Sequence, residues 1–130
     1  MSIKYEVLVS GFAEKHYLKD FRKKYGNPFA IPWRALLLML QKPDLMLERR
    51  GVSAISDLSK EVVILKIEFK VAPNESAKSS GNRCIVAQDK IKGKITILLV
   101  YRKNNVRGGG ETVWWKNVVK ENHPRYGELL

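Results

Sequence analysis

Residues 81–103 read GNRCIVAQDKIKGKITILLVYRK, two apolar runs joined by a short basic turn. The runs at 83–89 and 95–102 are rich in Ile, Val and Leu, and Lys92-Gly93 supplies the turn, so the stretch predicts an antiparallel strand pair. The second run contains ITILLVY, apolar on both faces, as a strand with neighbours on either side requires. Asp89 fits the turn that closes the first strand. Arg83 opens that strand, and Arg102 and Lys103 end the second.

Upstream, residues 61–72 read EVVILKIEFKVA and alternate. Val63, Leu65, Ile67, Phe69 and Val71 face one way, and Lys66, Glu68 and Lys70 the other. A loop rich in Asn, Ser and Gly follows at 73–82, so three strands form an antiparallel meander. Nearer the start, residues 3–9 alternate as a half-buried strand, and Ser10 is placed to cap a helix over 12–25. Ala13, Tyr17, Phe21 and Tyr25 fall four apart on it, opposite Lys15, Lys19, Arg22 and Lys23. Gly26-Asn27-Pro28 ends that helix.

A second helix is expected over 32–41, with Pro32 in its first turn and Pro43 stopping it. It is apolar nearly all round, which implies a sandwiched position. Residues 44–60 fit either a loop or a short helix. After GGG at 108–110, taken as a hinge, ETVWWKNVVKEN has helical spacing and Pro124 ends it. Strand, two helices, three strands and a C-terminal helix make an α+β fold: an N-terminal strand and two-helix hairpin packed on an antiparallel meander. The chain reads as one domain over 1–130 with a two-layer core, the charged face of the meander being left for a ligand.

A net charge of +11 is unusual for a chain of 130 residues. Between Lys66 and Arg107 ten Lys or Arg stand against three Asp or Glu. Such a surface suits a polyanion, with RNA or DNA the first candidate, or an acidic protein. The single cysteine, Cys84, excludes an intrachain disulfide and reads as core packing. The start of the chain is too charged for a secretory signal and no apolar run approaches a membrane span, so a cytoplasmic protein without a membrane partner is expected.

The chemistry compatible with these residues is metal-free. His16 and His123 lack ligand spacing, the glycine run lacks the remaining phosphate-loop residues, and paired carboxylates are missing from the basic region. No cofactor or metal is expected. Cleaving RNA this way requires a base for the 2′-hydroxyl, cations for the phosphorane and an acid for the leaving oxygen. Arg83 and Arg102, on neighbouring strands, can grip one phosphate, with Lys70 and Lys78 flanking the loop beside them. His123 or Tyr126 in the tail ENHPRYGELL is the available acid or base, unless that tail simply terminates a helix. Lys66, Lys92, Lys94, Lys103 and Arg107 are read as RNA-facing cations. One of Trp114 and Trp115 is available to stack on bases, a role assigned to Trp115.

Taken together, GNRCIVAQD and the following ITILLVYRKN resemble the central strand pair of the RelE/ParE superfamily of toxins from bacterial toxin-antitoxin operons. The likeness extends over most of the chain. It implies a single RelE-like toxin domain that enters the ribosome and cuts mRNA, with a cognate antitoxin protein as partner. Arg83 and Arg102 match the basic residues that open and close the family's strand pair. Lys70 and Lys78 fall near its loop lysines, and His123 or Tyr126 stands for its tail residue. ParE-like members share the fold but inhibit DNA gyrase. A noncatalytic nucleic-acid-binding domain is the third reading of the same charge.

Overall fold

The computed structural model describes residues 4–71 and 80–130. A five-stranded mixed sheet runs in the order β1-β5-β4-β3-β2. Its strands are β1 (Glu6–Val9), β2 (Val52–Ala54), β3 (Val62–Phe69), β4 (Asn82–Asp89) and β5 (Lys94–Tyr101). β1 lies parallel to β5 and the other pairs are antiparallel. The predicted meander is therefore β3-β4-β5, with β1 and β2 added at the two edges. Lys78 and most of the polar loop before β4 lie outside the described residues.

The first helix, α1 (residues 11–25), starts at Ser10, whose hydroxyl accepts the Ala13 N–H at 3.0 Å. Its middle, Glu14–Leu18, is a π-helical turn. The wider turn advances the inward stripe by one residue, so Ala13, Leu18 and Phe21 are buried together. Tyr17, expected in that stripe, points aside to Trp114, with ring centroids 6.3 Å apart. Beyond it, α2 (Ala30–Leu40) carries Pro32 in its first turn, as predicted. Pro43 does more than stop that helix, because it opens a short further helix, α3 (Pro43–Met46).

Helices cover both faces of the sheet. On one, Phe21, Leu36, Leu40 and Met46 pack on Val63, Leu65, Ile67 and Val86. On the other, Trp115 and Val119 of α4 (Glu111–Asn122) pack on Ile64, Ile85 and Leu99. The core is three layers deep rather than two, and α4 occupies the meander face expected to be open. Every residue of β4 is buried in consequence. A short helix, α5 (Pro124–Gly127), closes the chain against α4.

The β4–β5 ladder contains one irregularity. Ile85 pairs with Leu99 and Val86 with Ile97, which leaves Leu98 unpaired in a bulge. At the far turn Asp89 Oδ1 accepts the N–H groups of Ile91 and Lys92 at 3.1 and 3.0 Å, fixing Asp89 as a turn residue. Cys84 is a core residue, and burial pushes its thiol far above the usual range.

Candidate functional site

The inward alternation of Ile67, Phe69 and Val71 turns Lys66, Glu68 and Lys70 to the α4 side of the sheet. Arg83 faces the same way, paired in register with Glu68 on β3 and Tyr101 on β5. The first turn of α4 brings Glu111 onto this group. Lys66 Nζ donates to Glu111 Oε2 at 3.1 Å, and the Tyr101 hydroxyl donates to the same oxygen at 2.9 Å. Arg83 Nε lies 3.5 Å from that oxygen, and Arg83 Nη1 lies 3.9 Å from Glu68 Oε2.

Among the described residues, two cations of this cluster thus face two carboxylates. Burial pushes the Glu111 carboxyl up, but hydrogen bonds from Tyr101 and Lys66 and the charges of Lys66 and Arg83 outweigh it and hold it below the usual range. Burial, reinforced by the bond to Glu111, drives the Tyr101 hydroxyl far above its ordinary value. Arg83 is only 5 % exposed, so its guanidinium lies beneath the surface of the site. Lys70, by contrast, is exposed just beyond the end of β3.

Arg102 does not join Arg83. Because Tyr101 stands opposite Arg83, the next residue in extended backbone turns to the other face. The paired grip on one phosphate predicted for Arg83 and Arg102 is therefore not formed. The Arg102 Nε is buried with no hydrogen-bond partner among the described residues, close in sequence to exposed Lys103 and Arg107. Arg107 curls back to the carbonyls of Asn104 and Val106, at 2.9 and 3.3 Å. Lys103 packs its stem against Gly81, whose φ of 76° and closeness to that side chain (a Cβ there meets Lys103 Cγ at 3.0 Å) both favour glycine.

The tail residues stand elsewhere. His123 Nε2–H donates to the Leu98 carbonyl released by the bulge, at 2.9 Å, and its ring meets Phe12 edge-on. Burial lowers the His123 pKa against the opposing effect of that bond. Arg125 reaches toward Asp89 at 3.9 Å and lies over the Tyr126 ring. Asp89 is at the opposite end of β4 from Arg83, roughly 20 Å away at strand spacing. Arg125, next to Tyr126, is thus held toward the far end of the sheet from Arg83, whereas His123 sits at mid-strand against Leu98, and no contact joins either His123 or Tyr126 to Arg83 among the described residues.

The remaining RNA-facing assignments divide in the same way. Lys92 is exposed at the far turn, and Lys94 is flanked in register by Glu6 and Asp89. Trp115 is 1 % exposed and cannot stack on a base. Trp114 is half-buried and already edge-on to Tyr101, with centroids 5.1 Å apart. The fold thus unites Lys66, Lys70 and Arg83, and it adds Glu68, Tyr101 and Glu111. Glu68 carried a signal in the sequence, since alternation put it between Lys66 and Lys70. Glu111 carried none, because its approach depends on how α4 crosses the sheet.

Among the described residues, no helix is long and apolar enough to cross a membrane. Comparison with protein-family models, with curated proteins and with solved structures finds no significant match.

Proposed function

We propose that this chain is a toxin of the RelE type, a metal-independent endoribonuclease that acts in the cytoplasm on mRNA being translated by the ribosome and is held in check by an antitoxin protein. The observation that supports the reading is Glu68, a partly exposed carboxylate set between Lys66 and Lys70 above the Arg83 guanidinium. In this reading Glu68 takes the proton of a 2′-hydroxyl while the 2′-oxygen attacks the adjacent phosphorus. Lys66 and Arg83 lend positive charge beneath the phosphorane, and Arg83 orients Glu68. The bond from phosphorus to the 5′-oxygen then breaks, and the Lys70 ammonium protonates that oxygen. The products are a 2′,3′-cyclic phosphate and a free 5′-hydroxyl, and water returns the proton from Glu68 to Lys70.

The test is induced expression in a bacterial host with Glu68→Gln and Lys70→Ala beside the unaltered chain. Growth arrest with message cleavage, lost in both variants while the protein stays folded, supports the assignment. Cleavage that persists in both contradicts it. A ParE-like gyrase inhibitor is the second reading, favoured by the near-complete burial of Arg83 beside the carboxylates of Glu68 and Glu111. It predicts loss of supercoiling with messages intact.

A further inference from the structure

Helix α2 leaves an apolar stripe uncovered. Leu36 and Leu40 sink into the core, while Ile31 is 80 % exposed and Leu38 58 %. Ile31, exposed Ala35 and Leu38 recur at spacings of four and three, so they share one side of the helix. Leu45 on α3, 55 % exposed, extends the stripe. The sandwiched position predicted for α2 is thus met on one side only. No described residue covers the exposed side chains on the second side.

Two hollows border this stripe. One of ≈ 420 Å³ lies between α2 and the end of β3, floored by Leu36, Met39, Val52 and Phe69. The other, of ≈ 240 Å³, lies between α2 and α3, floored by Leu38, Leu45 and Met46. Met39 and Arg49 line both, which makes them one groove. Its rim is cationic. Among the described residues, Arg49 and Arg50 line the larger hollow, which Glu68 and Lys70 border from the end of β3, and Lys42 and Arg49 are the charged residues lining the smaller. Arg49 is held over the floor by its Nη1 contact to Met39 Sδ at 3.6 Å.

An apolar floor with a cationic rim selects against a second copy of this chain, which brings the same cations to the contact. It suits an apolar stripe flanked by acids. The 11 residues of α2 span about 16 Å, the length of roughly three helical turns. We propose that this groove is a docking site for an acidic amphipathic helix of a partner protein, with apolar residues at i, i+4 and i+7 on the floor and Asp or Glu against Arg49, Arg50 and Lys42. The proposal borders the toxin site at Glu68 and Lys70 but rests on Ile31, Leu38, Leu45, Arg49 and Arg50, which that reading does not use, so the two are tested separately.

A display library of randomised helical peptides, selected on the full chain, tests it. The expected result is enrichment of acidic peptides with that apolar spacing, binding at least tenfold more weakly to Ile31→Glu/Leu38→Glu and, separately, to Arg49→Glu/Arg50→Glu. Both double variants alter exposed residues, and unchanged circular dichroism and melting temperature establish that they are folded. Failure to enrich, enrichment of peptides without acids, or binding unaffected by either double variant overturns the proposal. Light scattering that finds a dimer abolished by Ile31→Glu/Leu38→Glu also overturns it, by naming a second copy as the occupant.

Discussion

The Arg83 Nε and Glu111 Oε2 atoms lie 3.5 Å apart and join the central strand to the helix that covers it. Glu111 also receives Lys66 and Tyr101, so a single carboxylate in the first turn of α4 ties together three strands of the sheet. Its position at the helix N-terminus is favourable on its own account, because the helix dipole attracts negative charge there. Removing it takes from a buried guanidinium its nearer described carboxylate. Glu111→Ala is expected to cost about 1–3 kcal/mol in chemical denaturation. An unchanged midpoint contradicts the role given to this contact.

Acid weakens the fold in two stages. The His123 pKa is lower folded than unfolded, so the unfolded chain binds protons first and stability falls as pH drops below about 6.5. The Glu111 carboxyl is likewise lowered in the fold, and its contribution, present above about 4.3, is lost as pH falls through its folded value. Melting temperatures from pH 8 to pH 3 are expected to decline through both windows. His123→Gln flattens the first decline and Glu111→Gln the second.

Trp115 and the cations make opposite predictions for RNA. Trp115→Ala opens the core under α4 and is expected to cost about 3–5 kcal/mol, whereas Trp115→Phe is expected to keep the fold and, under the proposed function, whatever RNA affinity the unaltered chain has. Loss of RNA binding in the folded Trp115→Phe variant returns Trp115 to a stacking role.

Charge reversal separates the two ends of the sheet. Under the proposed RNA-cleaving function, Lys70→Glu and Lys103→Glu are expected to weaken binding to single-stranded RNA and to flatten its dependence on salt, as loss of a cation facing phosphate does. Lys94→Glu, at the far end and between Glu6 and Asp89 in register, is expected to change both far less. Fluorescence anisotropy across a salt series measures all three, and equal effects at both ends contradict a localised RNA surface.

Much of the fold was legible because it rests on local patterns. Alternation in 61–72 and the Lys92-Gly93 turn fixed the meander, and Ser10 fixed the start of α1. β2 was not legible, because three residues are too few to show a period. The π-helical turn was hidden because regular four-residue spacing runs through Tyr17 as plausibly as the true path runs through Leu18. The site was half legible. Alternation grouped Lys66, Glu68 and Lys70, but pairing Arg83 with Arg102 required knowing which of Tyr101 and Arg102 stands opposite Arg83. The place of His123 depended on the bulge at Leu98, which no residue in that apolar run announces.

The central claim is that Glu68, Lys70 and their neighbours cut translated mRNA, and primer extension shortly after induced expression tests it most directly. The account predicts cuts within codons that vanish when translation is blocked and are absent with Glu68→Gln. Growth arrest with intact message, or cuts undiminished in folded Glu68→Gln, contradicts it.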